Sequence, residues 1–281
     1  MARILAVGIA TVDIVNTLAS YPPEDAEVRV LAQRRVRGGN ATNTLVILSQ
    51  LGHTCSWAGV LPREPDSQIV TEDLERHQVD LAPVHRPLAG KLPTSYIALS
   101  TDTGSRTIMH YRDLPEYDFP SFDQLHLDDY DWIHFEGRHV AALGPMLKKV
   151  RQAGIPCSVE VEKPREGIEA LFGLPDVLLF SRSYVQHCGH EHPPDFLRLL
   201  SPSRPAFVTW GEAGAWCASS QNEILHQPAP RITVVDSLGA GDVFNAGVIH
   251  AMTQELPLKG VLAHAVHLAS GKCARQGLWI A

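Results

Sequence analysis

Strand-length apolar runs separated by helical patterns set the tightest limit on what this chain can fold into. Ile4–Gly8, Trp132–Phe135, Cys157–Val161, Val177–Phe180 and Ala206–Trp210 are short enough for strands and apolar enough for burial on both faces. Amphipathic stretches such as Ala41–Leu51 and Gly144–Ala153 lie between them. That alternation predicts a mostly parallel sheet with crossover helices, an α/β class. A length of 281 residues suits one large domain with or without a small appendage. A chain of this size buries enough surface to need neither disulfides nor metals for stability. The opening stretch, Arg3 to Asp13, is apolar but short and ends in a carboxylate. It reads as a buried first strand, not as a signal peptide or membrane span.

Two stretches break the rhythm. Val28–Arg37 and Thr94–Arg112 alternate as strands do but have no helix between strands, and Thr101-Asp-Thr-Gly-Ser105 marks a turn inside the second. They are expected to pair as a small antiparallel sheet outside the main domain. Such a sheet serves as a lid or an oligomer contact; the plainer alternative is an edge hairpin.

The segment most telling of chemistry is Val234-Val-Asp236-Ser-Leu-Gly239-Ala-Gly241-Asp242-Val-Phe-Asn-Ala-Gly247. A strand-like end gives way to small residues and then to a helical pattern. Glycines let the backbone approach a ligand, and successive amides with a helix N-terminus form an anion site. Asp242 in the first turn reads either as a charge favourable to the helix dipole or as a general base for a hydroxyl. Neither a Gly-x-x-x-x-Gly-Lys-Ser/Thr loop nor a Gly-x-Gly-x-x-Gly after the first strand is present, which removes P-loop and dinucleotide-binding readings.

Near the other end, Arg37-Gly-Gly39-Asn40-Ala-Thr-Asn43 precedes an amphipathic helix that stops at Gly52. Asn40 and Asn43, three apart, project from one end of that helix and suit a polyhydroxylated ligand. Asn40 alone reads equally as a helix cap. Asp13 is either a turn residue or a carboxylate able to accept two hydroxyls.

Taken together, Gly38-Gly39-Asn40 and Asp236-Ser-Leu-Gly-Ala-Gly-Asp242, about 200 residues apart, resemble the two signatures of the ribokinase-like (PfkB) carbohydrate kinases. Serine at position 237 replaces the family's threonine and keeps the hydroxyl. Within the family the chain is most similar to the ketohexokinase subfamily, the animal-type fructokinases. The likeness is carried by Tyr21-Pro-Pro-Glu-Asp25, Gln33–Asn40, Gly104–Ile108, Trp132–Arg138, Ser158–Glu166 and Gly271–Gly277.

The resemblance implies a three-layer α/β/α domain with a mostly parallel central sheet, formed by residues 1–12, 38–91 and 113–281. Residues 13–37 and 92–112 would form a β-sheet lid that also joins two subunits. It implies phosphoryl transfer from MgATP to a ketose such as fructose, or to ribose, 2-keto-3-deoxygluconate or a nucleoside. A silent sugar or nucleotide sensor is the alternative from another class. Asp13, Gly39, Asn40 and Asn43 match the sugar-holding positions, and Arg106 matches a lid arginine near acceptor or phosphate. Asp242 matches the base, and Gly239, Ala240 and Gly241 match the anion hole. Trp210, Gly214, Phe244 and Cys273 fall at adenine-side positions, and potassium beside Asp236 is a further cofactor candidate.

Many members of the family carry Asn-x-x-Glu after a central strand, where this chain has Ser181-Arg-Ser-Tyr184, so no metal ligand is assigned there. Glu160, Glu162 and Lys163 at a strand end read as organisers of a metal-nucleotide or as a surface ion-pair set. His187-Cys188-Gly-His190-Glu-His192 matches no common zinc spacing and reads as a polar loop. Five scattered cysteines point to reduced thiols and a cytoplasmic setting. A formal charge of −7 argues against nucleic acid or an anionic membrane as partner.

Overall fold

The computed structural model describes residues 1–200, 204–219, 221 and 223–280. The strands are β1 (Arg3–Val7), β2 (Thr11–Leu18), β3 (Ala32–Gly38), β4 (Thr54–Ala58), β5 (Val79–Asp80), β6 (Lys91–Ser100) and β7 (Arg106–Asp113). They continue with β8 (Trp132–Glu136), β9 (Cys157–Val161), β10 (Val177–Phe180), β11 (Ala206–Thr209), β12 (Ala215–Ala218) and β13 (Ile224–Gln227). The helices are α1 (Asn40–Gln50), α2 (Ser67–Arg76), α3 (Phe119–Asp123), α4 (Val140–Ala153), α5 (Arg182–His187), α6 (Pro193–Leu200), α7 (Ala240–Thr253) and α8 (Leu258–Cys273). Among the described residues, no helix is long and apolar enough to cross a membrane.

Nine strands form the main sheet in the order β13-β12-β11-β10-β9-β8-β1-β4-β5. The pairs from β5 to β11 are parallel, and β12 and β13 add antiparallel edges. Strand alternation divides β1 between two cores. Ile4 and Ala6 join the side covered by α1, α7 and α8, whereas Leu5 and Val7 join the side covered by α3 and α4. Helices on both faces explain why these strands are apolar throughout. Strand order reverses between β1 and β8, and in open α/β sheets ligands bind beyond the carboxyl ends of strands at such a reversal.

A second sheet has the order β3-β2-β6-β7. It differs from the expected antiparallel sheet in one respect: β2 and β6 pair parallel. The apolar opening stretch is not one strand, since β1 stops at Val7 and the chain enters the second sheet at Thr11. The Gly8 amide still bonds the Ala58 carbonyl, but the Ile9 amide bonds the Glu136 carboxylate, which takes the chain out of the ladder. Asp13 therefore sits within β2, not on a turn. Residues 28–31 precede β3 instead of extending it.

Away from the sheet edge, three histidines join the N-terminal strand to the helical layer. His53 Nδ1 accepts from the Ala2 amide at 3.2 Å, so its Nε2 carries the proton shared with His250 Nδ1 at 2.9 Å. His264 stacks on His250 at 5.2 Å between centroids. Burial lowers all three pKa values, that of His53 to about 4. The unfolded chain takes up a proton near 6.5 that the folded chain refuses until near 4. Stability is therefore expected to fall as pH drops across that window. Thermal denaturation of wild type and His53→Gln between these pH values checks it, with a flatter dependence expected for the variant.

Candidate active site

Two helices begin at the same cleft. α1 starts at Asn40, directly after a crowded pair of glycines. A side chain on Gly38 would collide with the Asp13 carboxylate and Thr11, and one on Gly39 with the Ile9 carbonyl; Gly39 also holds φ at +104°. The Glu136 carboxylate accepts from the Ala41 amide at 2.7 Å, satisfying one donor of the first turn. α7 starts at Ala240 after Gly239 in the left-handed region, leaving the Gly241 and Asp242 amides without intrahelical acceptors. The helices are tied together where Thr44 Oγ1 donates to the Asp242 carbonyl at 3.3 Å.

The cleft, about 450 Å³, lies between the strand ends of the main sheet and the inner face of the small sheet. Asp13, Gly39, Asn40, Asn43, Arg106, Gly239, Ala240, Gly241, Asp242 and Phe244 all line it. Trp210, Gly214 and Cys273 do not. Trp210 follows β11 with the Arg182 guanidinium over its ring at 5.1 Å, and Gly214 packs against the backbone after β13. The Cys273 carbonyl accepts from the Val235 and Asp236 amides at 2.8 and 3.2 Å, so it braces the loop from behind.

Asp242 is buried. Its Oδ2 accepts from Asn43 Nδ2 at 2.6 Å. Asn43 Oδ1 in turn accepts from Arg37 Nη1 at 2.7 Å, so both ends of this amide are already engaged by the protein. Asn40 Nδ2 donates to Glu160 at 3.1 Å and to Glu162 at 3.4 Å. Asp13 Oδ1 accepts from Thr11 at 2.8 Å. Arg106 reaches from the small sheet to Ser237 Oγ at 3.2 Å, spanning the mouth of the cleft.

The Asp236 carboxylate accepts the Leu238 and Gly277 amides, each at 3.0 Å, and the fully buried Lys272 ammonium donates to the Asp236 carbonyl at 2.6 Å. The loop before Gly239 is thus held by residues at the end of α8 and just beyond it.

Carboxyl groups crowd the strand ends. Burial raises Glu136 to about 7 against the pull of Arg138. Burial, then Glu136 and Glu162, raise Glu160 to about 8. Burial and the charge on Glu160 hold Asp242 well above the ordinary carboxylate range, opposed by the bond from Asn43. Asn245 is buried at the same place and opposes the rise of Glu160, although its Nδ2 has no partner within close hydrogen-bond distance among the described residues. Among the described residues, no group of three or more His, Cys, Asp or Glu is arranged to hold a metal by itself.

Arg37, Arg138, Glu136 and Asn245 were not singled out as individual site residues by pattern. Glu136 carries the same signal on which Glu160 is read from the sequence: a charged residue at the end of an apolar strand run. Ser181 caps α5 through Tyr184 and donates to the Glu162 carbonyl at 2.6 Å, a structural part in place of the missing Asn-x-x-Glu.

Comparison with known proteins fits this geometry. A family model described as pfkB family carbohydrate kinase matches residues 1–280. Ketohexokinase of Mus musculus is 34% identical over 289 residues, covering 98% of this chain and 97% of the relative. Arabidopsis thaliana ribokinase complexed with ribose and ATP superposes with a TM-score of 0.77 at 18% identity, covering 98% of this chain and 94% of that one. Burkholderia thailandensis nucleoside kinase in complex with inosine gives 0.79 at 17% identity, covering 98% and 92%. These structural neighbours share the ribokinase-like α/β fold. With the family matched along almost its whole length, the chain belongs to the pfkB family of carbohydrate kinases.

Proposed function

We propose that the protein transfers the γ-phosphoryl group of MgATP to a hydroxyl of a ketose such as fructose, with Asp242 as general base. The observation that carries this reading is the placement of a buried carboxylate in the first turn of α7, beside the Gly239–Gly241 amides and facing Asp13 and Asn40 across one cleft. Asn43 occupies Asp242 Oδ2, which leaves Oδ1 for the acceptor hydroxyl. The hydroxyl proton passes to Asp242 as its oxygen attacks phosphorus, while the loop amides and the helix N-terminus offset charge on the transferring group. Asp13 and the free oxygen of Asn40 hold the sugar, and Arg106 meets the phosphate or acceptor from the small sheet. Identity to ketohexokinase across the chain favours a ketose over ribose or a nucleoside.

Magnesium characteristically binds through one or two carboxylates together with substrate phosphates. Glu160 and Glu162, hard oxygen donors on the cleft wall, suit that pattern. A cation there would favour the ionised forms of Glu160 and Asp242, which burial and mutual repulsion disfavour.

The small sheet acts as the lid in this reading, and its outer face supports a homodimer. Tyr96, Met109 and Tyr111 are exposed there at 44%, 59% and 54%, and Tyr96 pairs across from Met109. The free cysteines suit a cytoplasmic setting.

Asp242→Asn is expected to lower kcat by roughly 10²–10⁴-fold, the usual worth of a general base; near-normal turnover would refute the assignment. An ADP-release assay with MgATP across ketoses, aldoses and nucleosides should show highest kcat/KM for fructose or a related ketose. A preference for ribose or inosine would move the protein to another branch of the family. Sedimentation velocity should give a dimer that Met109→Lys converts to monomer, and a monomeric wild type would remove the dimer.

A further inference from the structure

Arg37 lies at the end of β3, its side chain 2% exposed, directly before the two glycines that open α1. Its Nε donates to Asp73 Oδ2 on α2 at 2.6 Å. Its Nη1 donates to Thr42 Oγ1 at 3.0 Å and to Asn43 Oδ1 at 2.7 Å. Thr42 Oγ1 itself donates to the Gly38 carbonyl, so only its lone pair is left for the guanidinium. The four side chains Asp73, Arg37, Asn43 and Asp242 therefore form one line from α2 to α7.

The chemistry of the two ends fixes the middle. A guanidinium has donors and no acceptor, whereas an ionised carboxylate has acceptors and no donor. An amide placed between them fits one way round only, with oxygen toward Arg37 and nitrogen toward Asp242. With a neutral residue at position 37 only Asp242 would orient the Asn43 amide, and whenever that carboxyl is protonated the amide could turn over and accept from it through its oxygen. Arg37 is also a full positive charge buried among Asp13, Asp73 and Asp242, where Glu160 and Glu136 otherwise supply only like charge.

We propose that Arg37 is a positioning residue that locks the Asn43 amide and thereby aims the Asp242 carboxyl group. Arg37 does not line the cleft that Asn43 and Asp242 line; it acts through Asn43. The proposal rests on the reading of Asp242 as base, and one measurement of it needs no substrate. The Asp242 carboxyl can be titrated by carbon NMR in the free protein, its resonance assigned by loss in Asp242→Asn.

Arg37→Met is expected to raise the Asp242 midpoint by about one pH unit, because an opposing charge is removed. With MgATP and D-fructose, kcat should fall on the order of 10–100-fold from misplacement of the base, with KM for ATP little changed. Arg37→Lys keeps the charge without the fork, so it should restore most of the midpoint and little of kcat. Asp73→Asn leaves Arg37 in place but removes its outer anchor, and should lower kcat several-fold.

An unmoved Asp242 midpoint and wild-type kcat in Arg37→Met overturn the proposal. If that variant does not fold, a wild-type kcat in Asp73→Asn overturns it. Inactive Asp242→Asn beside unaltered Arg37→Met rejects the relay and keeps the base. Active Asp242→Asn rejects the base, and the midpoint in Arg37→Met still decides whether Arg37 governs that carboxyl.

Discussion

Burying several carboxyl groups at the edge of one sheet is the constraint around which the rest of this molecule is organised. Glu136, Glu160 and Asp242 are each less than a tenth exposed, and each disfavours ionisation of the others. Unpaired buried charge is costly, so the surroundings must offset it with donors. They do so with amides at the start of α1, with the side chains of Asn40 and Asn43, and with Arg138 against Glu136. These partners come from different segments of the chain, and holding them together requires both the parallel sheet and the helices packed on it.

The small sheet depends on the same edge. β2 delivers Asp13 to the cleft, β3 delivers Arg37 and leads into α1, and β7 delivers Arg106 to Ser237. Its inner face carries Asp13, Ser95, Arg106 and His110 beside Ile97 and Ile108, while its outer face carries exposed aromatics and Met109. One sheet with two unlike faces explains why β6 and β7 alternate in sequence yet remain much less apolar than the central strands.

Much of the architecture was legible because periodicity and glycine placement are local signals. The buried strands near Ile4, Trp132, Cys157, Val177 and Ala206 all appear, and the Gly-Gly-Asn and Gly-Ala-Gly-Asp segments meet at one cleft. The break between β1 and β2 was hidden, because Ile9 to Val12 is as apolar as the strand before it and only the distant Glu136 takes the Ile9 amide out of the ladder. The parallel pairing of β2 with β6 was hidden for a similar reason: register between distant strands leaves no mark in either alone. Asn43 was legible as a polar group at the head of α1, but its two partners lie on other elements, so its engagement with Arg37 and Asp242 was not. Trp210, Gly214 and Cys273 are placed at adenine-side positions by resemblance alone, and the cleft lined by Asp13 and Asp242 does not include them.

The loop before α7 carries a further consequence. Its shape is set from behind by Lys272, Cys273 and Gly277, all translated after the glycines and carboxylate they brace. A ribosome-bound chain that has exposed everything through α7 already has its strands, its small sheet and Asp242. It still lacks the buried ammonium and the amide that hold Asp236 in place. The loop before Gly239 is therefore completed only once residues 272–277 have been made, after every described strand of either sheet.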